Sequence, residues 1–443
     1  MLLLALAPLP VLIMTNAARA DCDVTDTAIP ENAVAAINVA GMRKSLAQSG
    51  IGFGGFYNAE TFGNPSGGIK QGVTYDGVLG LHVNGDMQKL GFWKGLCFYA
   101  NGYQIHGHSI AAENVGSLAT VSNLEATPAT RLYELWLEQS MFNEHVWVRF
   151  GQLAADGDFF VIQGGDYFLN GWGWPSITSA DLPNGGPGYP LTTPGVRVIL
   201  NPNDKFGFKV GVYNGDPAGP NCKGDPQVCD NNGLEFRIGD PPLLMAEGSY
   251  QYSQEKGQLP GAIKLGGWNH FGKFADQRFD ANGLPIAVTG LPGKVLHNDF
   301  GLYVDINQIV WRVPGSQDPK GIDLVGRVFV APSDRNLVDF YADGGVIFTG
   351  MIPNRPDDAL GIALVYTGIS NRVHAFDLDS GLPVARTFEM LFEMCYTMQL
   401  KSGWTLQPDL QYIVRPGGNE VNPAGTGAVG NATVLGIRTT INF

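Results

Sequence analysis

The sequence predicts an all-β protein: a transmembrane antiparallel β-barrel of about 16 strands, with 18 the alternative. Three observations carry this. Apolar and polar residues alternate with period two along many segments, as they must where successive side chains point to opposite faces. Many segments approach the length of about 9–11 residues that a tilted strand needs to cross a bilayer. Short turns and long Gly/Pro/Asn-rich loops alternate between them, and the last segment closes on an aromatic residue, Phe443. A soluble sandwich also alternates. In lipid, however, every backbone N–H and C=O must be paired within the protein, and only a helix or a closed barrel does that.

Taken in order, residues 1–20 read as a signal peptide, an apolar run followed by Ala18-Arg19-Ala20. Residues 21–50 read as an N-terminal periplasmic segment or short helix. Val39, Met42 and Leu46 give 38–48 modest helical spacing. The barrel is expected over 51–443. Seventeen stretches are strand-like: 51–61, 73–83, 97–105, 131–139, 146–153, 196–200, 206–213, 234–238, 244–252, 262–270, 300–306, 324–330, 338–348, 359–367, 388–398, 404–414 and 435–443. The clearest is 404–414, where Trp404, Leu406, Leu410, Tyr412 and Val414 alternate with Thr405, Gln407, Asp409 and Gln411. A barrel with both termini on one side needs an even number. One candidate is therefore surplus or one is missing, and the expected place is between His270 and Val338.

Composition fits. Glycine makes up 60 of 443 residues, about 13.5% against a usual ~7%. Charged residues are 16% and hydrophobic ones 44%. A disordered chain is polar and highly charged, and collagen keeps a glycine period of three that is missing here. The net charge of −13 repels phosphate, so no nucleic acid is expected as partner. Neither Gly-x-Ser-x-Gly nor His-Glu-x-x-His occurs, so no enzyme, catalytic residue, cofactor or metal site is expected. Cys222 and Cys229 stand close together in a Gly/Pro/Asp loop and read as a loop-closing disulfide. Cys22, Cys97 and Cys395 show no obvious pairing.

The polar face of each strand of an outer-membrane barrel lines the lumen, because a charge at the bilayer midplane costs ~2–4 kcal/mol. Strand parity therefore nominates Glu134, Trp136, Glu138, Trp147, Arg149, Arg197, Lys209, Glu235, Arg237, Arg327, Glu389, Glu393, Asp409 and Arg438 as pore-lining and solute-binding. On 131–139 the lipid side is expected to be Tyr133, Leu135 and Leu137. Mixed charges and tryptophans suit a sugar, whose hydroxyls donate and accept and whose C–H faces pack on rings. The competing role for each is a structural ion pair in the wall. The long segment 156–194 is expected to fold into or over the pore. Asp166, Trp172 and Trp174 would form its constriction, or the tryptophans would form a loop core.

Ordered stretches over 72–443 carry a family likeness. They are DMQKLGFWKG (86–95), YQIHG (103–107), TVSNLEATPATRLYELWLEQ (120–139), RFGQLAADGDF (149–159), PGYPLTTPGVR (187–197) and YNGDPAGP (213–220). LPGAIKLGGW (259–268), APSDRNLV (331–338), GMIPNRPDDALG (350–361) and GWTLQPDLQYIVRPGG (403–418) follow. Here the chain resembles the carbohydrate-selective porins of the OprB type. The cysteine loop at 221–232 departs from that pattern. The resemblance implies a bacterial outer-membrane channel passing sugars by diffusion, with Phe443 as the signal to the barrel-assembly machinery. The expected partners are small-molecule sugars, outer-membrane lipid and lipopolysaccharide, and a homo-oligomer is possible. A general porin for other small polar solutes is the alternative, and an outer-membrane enzyme or a soluble β lectin are readings from other classes.

Overall fold

The structure, a computed structural model, describes residues 42–443 apart from 172, 256 and 315–319. The expected signal peptide, Cys22 and Trp172 lie outside the described residues. A helix, Met42–Gln48, precedes the barrel.

Sixteen strands follow: β1 (Ile51–Gly68), β2 (Gly72–Asp86), β3 (Leu96–Gly107), β4 (Ala129–Met141), β5 (Val146–Leu153), β6 (Thr193–Leu200), β7 (Phe206–Asn214) and β8 (Pro242–Tyr252). The rest are β9 (Gly261–Asp280), β10 (Gly293–Arg312), β11 (Gly321–Val330), β12 (Val338–Thr349), β13 (Ala359–Ile369), β14 (Phe388–Lys401), β15 (Trp404–Val414) and β16 (Gly430–Asn442). Each pairs antiparallel with its sequence neighbours, and β1 pairs with β16 to close the barrel. Closure leaves no open edge, so the ladder satisfies the backbone without water. The closing pairs run from Phe56↔Asn442 through Ala59↔Thr439, and Phe443 and Gly55 exchange two further backbone hydrogen bonds of 2.8 and 2.9 Å. Among the described residues no helix is long and apolar enough to cross a membrane.

The surplus candidate is 234–238. It alternates, yet it lies in the loop between β7 and β8, and Leu234, Phe236 and Ile238 are solvent-exposed there. Among the described residues no strand beyond β9, β10 and β11 lies between His270 and Val338. That region holds the extended hairpin of β9 and β10, each 20 residues long.

The outer surface is an apolar band. Val196, Val198, Leu200, Phe208, Val210, Val212, Leu265, Phe300, Leu302, Val304 and Ile306 are all exposed. An aromatic girdle marks the loop-side rim. Phe340 and Tyr366 lie 5.9 Å apart, Tyr366 and Phe388 stack at 5.2 Å, and Arg415 caps Phe388 at 4.4 Å. Such girdles sit at membrane interfaces, where a ring meets both lipid and water.

Connections on the side of the chain ends are short, from 402–403 to 87–95. Those at the other end include 108–128, 154–192 and 215–241. Two of these fold inward and narrow the upper lumen. Val115, Val121, Phe159, Phe160, Phe168, Leu169 and Ile177 are buried there, so this barrel has an apolar core made by its own loops. Inward glycines make room for it. A Cβ on Gly361 would meet the Phe168 ring at 2.6 Å, and one on Gly266 the Tyr303 ring at 2.3 Å.

Candidate pore and its constriction

The interior is built on a belt of charge running strand to strand. Glu138 on β4 stands opposite Arg149 on β5, which stands opposite Arg197 on β6. Lys209 on β7 faces Glu247 on β8. Lys264 on β9 faces Asp305 on β10, which faces Arg327 on β11, which faces Asp343 on β12. Arg149 Nε and Arg197 Nη2 each lie 3.0 Å from Glu138 Oε2. Lys209–Glu247 and Lys264–Asp305 are both 3.3 Å. Cross-strand neighbours on one face lie close enough for such pairing, and the low dielectric behind the loops strengthens it.

The belt holds the segment 154–192. Arg197 Nε pairs with Asp158 at 3.0 Å, and Lys209 Nζ donates to the Asp158 carbonyl at 2.7 Å. Lys264 donates to the Val161 carbonyl, and Arg327 to the Phe160 carbonyl. Asn307 Oδ1 accepts the Gln163 N–H at 3.0 Å, and Glu393 accepts the Leu169 N–H at 2.6 Å. Between these anchors Phe160 packs against Tyr303 at 4.7 Å, Phe329 at 5.2 Å and Trp268 at 5.9 Å. The loop is thus fastened along the wall from β6 to β14 and narrows the lumen.

The second inward loop, 108–128, has its own fastenings. Glu389 accepts the N–H groups of Leu118, Ala119 and Gly417, each at 2.8 Å. Arg438 pairs with Glu60 and donates to Ser122 Oγ at 3.0 Å and Asn123 Oδ1 at 2.7 Å. Gln411 Nε2 donates to the Val121 carbonyl at 2.8 Å.

Below the loops, toward the short turns, a polar chamber of about 660 Å³ remains. Asn58, Asn123, Gln163, Asp166, Tyr167, Asn307, Asp323, Gln407 and Arg438 contribute to its lining. A second hollow of about 320 Å³ lies beside Lys209, Glu247 and Lys264. Gln163 and Asp166 are exposed in the chamber.

The residues expected from parity are therefore arranged as follows. Glu138, Arg149, Arg197, Lys209, Arg327, Glu389, Glu393 and Arg438 face inward, and the bonds above tie them to loops or wall partners. Trp136 stacks on Tyr99 at 4.8 Å with the Arg149 guanidinium 3.8 Å over its ring. Trp147 is buried on the same face of β5 as Arg149. Glu134 accepts from the Ala154 N–H at 3.4 Å. Asp409 is buried beside Gln411. Asp166 lines the chamber. Trp174 lies in the loop's own core: it packs on Phe160 at 5.3 Å and donates to the Gly185 carbonyl at 2.8 Å. Glu235 and Arg237 are corrections. With 234–238 outside the barrel they do not face the lumen. Arg237 instead pairs with Asp240 at 2.7 Å in the outer loop. Tyr133 is another correction. A bulge where Asn101↔Glu134 gives way to Gly102↔Leu132 shifts the parity. Tyr133 thereby turns inward and donates to Asp156 at 3.1 Å.

Parity applied to every strand would also have found Glu60, Glu247, Lys264, Asp305, Asn307 and Asp343. Asp158, Gln163 and Asn123 carry no such signal, because they reach the lumen on irregular loops. In the loop between β7 and β8 Cys222 and Cys229 form a disulfide, 2.11 Å between sulfurs.

A closed sixteen-strand barrel with an apolar outer band and a polar, loop-narrowed lumen defines an outer-membrane diffusion channel. More narrowly, the chain belongs to the carbohydrate-selective porin, OprB family, whose model matches residues 70–443. It is 27% identical to Porin B of Pseudomonas aeruginosa over 423 residues, 90% of this chain and 88% of that protein. It superposes on the high-pH structure of Pseudomonas putida OprB with a TM-score of 0.80, at 23% identity, covering 92% of this chain and 97% of that one. The low-pH structure of the same protein gives 0.55 at 18% identity with the same coverage. The protein is an outer-membrane sugar porin.

Proposed function

We propose that sugar crosses this pore unchanged through the chamber beneath the inward loops, and that the amides and the Asp166 carboxylate exposed there make the contacts. One observation supports the reading above others. The charged residues of the belt are bonded to loop backbone and to each other, whereas Gln163 and Asp166 stand exposed in a cavity of about 660 Å³. A sugar offers both donors and acceptors, and amides can answer both. Tyr167 in the same lining offers a ring face for the C–H side. Conduction needs weak contacts that release the solute.

On this reading Glu138, Arg149, Arg197, Lys209 and Arg327 act by holding the constriction in place. Glu134 and Trp136 belong to the same supporting wall, Glu134 on the Ala154 N–H and Trp136 between Tyr99 and the Arg149 guanidinium. Planar-bilayer conductance with glucose, a disaccharide and an amino acid tests the proposal. Gln163→Ala and Asp166→Asn should weaken sugar block several-fold while ion conductance stays near wild type. Unchanged block in both would remove the chamber from the sugar path. Equal block by the amino acid would favour the general-porin alternative. We also assign recognition by the assembly machinery to Phe443, and contacts with lipopolysaccharide to the girdle of Phe340, Tyr366 and Phe388.

A further inference from the structure

Two adjacent strands carry a buried quartet that the sugar path does not use. On the inward face of β14 and β15, Glu393 stands opposite Gln411 and Cys395 opposite Asp409. Ligand atoms of Glu393, Cys395 and Asp409 all lie within 4.8 Å of one another. Cys395 and Glu393 are fully buried, and Asp409 is 6% exposed. Cys395 is the free cysteine among the described residues.

Two features point to a proton or a cation held between these groups. Among the described residues no N–H or hydroxyl donor reaches the buried Asp409 Oδ2 or Gln411 Oε1. Both belong to this group, since Gln411 Nε2 donates to Asp409 Oδ1 at 2.9 Å. A buried acceptor without a donor is costly, and two dry carboxylates side by side repel unless a proton or a cation lies between them. The neighbouring cation, Arg438, is committed to Glu60.

We propose that Glu393, Cys395 and Asp409 form a binding site for a divalent, borderline-soft cation of the Zn²⁺ class. The donor set decides the class. Thiolate selects against Mg²⁺ and Ca²⁺, while one sulfur with oxygens suits Zn²⁺ or Cd²⁺. A tetrahedral ion holds its ligand atoms about 3.5 Å apart, so closure on the ion needs about one ångström of side-chain movement. Binding forms the metal–sulfur bond as the thiol S–H gives its proton to solvent. Glu393 also accepts from Leu169 and Asn170 of the inward loop. The ion would therefore fasten two wall strands and the constriction at one point. Gln407, which lines the chamber, lies 4.0 Å from Cys395 Sγ and marks the way in. Spacing in the chain hides this set, because Asp409 lies across a hairpin from the other two.

The test is titration of the purified protein with Cd²⁺, read by the ultraviolet thiolate-to-metal charge-transfer band and by bound metal after desalting. The expected result is one equivalent of Cd²⁺ with the band, displaced by Zn²⁺ and not by Mg²⁺. Cys395→Ala should abolish the band, and Asp409→Asn should weaken binding at least tenfold. Heat-modifiable gel mobility reports whether each variant barrel is assembled. The wild-type titration needs no variant, so failure of a variant to assemble leaves it decisive. Absence of the band at saturating Cd²⁺, or equal binding by assembled Cys395→Ala, would overturn the site.

Discussion

Arg327 shows how much one side chain carries here. It is 1% exposed, and its guanidinium donates to Asp343 at 2.9 Å and to the Phe160 carbonyl of the inward loop. Arg327→Met strands Asp343 in a dry site, and breaking a buried pair in this way costs ~3–5 kcal/mol. The ladder of sixteen strands does not pass through this side chain, so the barrel should still assemble. The loop should not stay fixed: single-channel recordings should show larger, noisier conductance and weaker sugar block. Adding Asp343→Asn should restore much of the stability without restoring the block. Wild-type conductance in Arg327→Met would show that Phe160 is held by its aromatic neighbours alone. Asp156, in the same loop, gives a pH prediction. Burial lifts its carboxyl above the ordinary 3.8, although the Tyr189 N–H and Tyr133 hydroxyl bonds pull the other way. A carboxyl raised in the folded state contributes fully below 3.8, and that contribution is lost as pH rises through the folded value. Asp156→Asn, which carries no charge to desolvate, should therefore narrow the gap in unfolding midpoint between acid and neutral pH. An unaltered gap would place the pH sensitivity elsewhere.

Among the elements, the loop between β7 and β8 is tied down covalently. The Cys222–Cys229 bridge closes seven residues of sequence separation, and a ring that size removes about 2.5 kcal/mol of chain entropy from the open loop. The loop also reaches across to β4, where Arg131 pairs with Asp230 and the Leu132 N–H donates to the Asn232 carbonyl. Replacing both cysteines with serine should leave assembly intact and speed protease cleavage within 222–238. Unchanged cleavage would show that the β4 contacts alone order it. This loop also explains what could be read from the chain. Strands were legible because the bilayer imposes one rule on every wall segment, apolar out and polar in. The segment 234–238 obeys the same rule by local pattern, since Leu234, Phe236 and Ile238 alternate, but it has no neighbouring strand. Alternation is a property of one segment, whereas membership of a barrel is a property of its neighbours. Tyr133 was misread for a related reason: a single bulge reverses parity and leaves no mark in composition. The inward faces of Arg149, Arg197 and Arg327 were legible. What they hold was not, because Asp158, Phe160 and Val161 arrive on an irregular loop whose path only tertiary packing fixes.

At the scale of the whole molecule, glycine abundance, scarce charge and the apolar band have one source: a wall that is wet on one face and greasy on the other. β6 states it in two adjacent residues. Arg197 is fully buried inward between Glu138 and Asp158, while Val196 beside it is 46% exposed outward, next to Phe150 and Val212 in register. Val196→Arg puts a guanidinium on the outer face near mid-strand, where lipid would penalise it by ~2–4 kcal/mol. Val196→Leu keeps the face apolar and should be near neutral. Urea titration of refolding into phosphatidylcholine vesicles, read by heat-modifiable mobility, measures both. In detergent the penalty should shrink, because a micelle lets the long arginine stem carry its charge to water. That contrast separates two meanings of an exposed apolar face. A penalty that appears only in vesicles assigns Val196 to lipid. A penalty equal in vesicles and detergent, accompanied by loss of an oligomer on native electrophoresis, would assign this face to contact between copies of the chain.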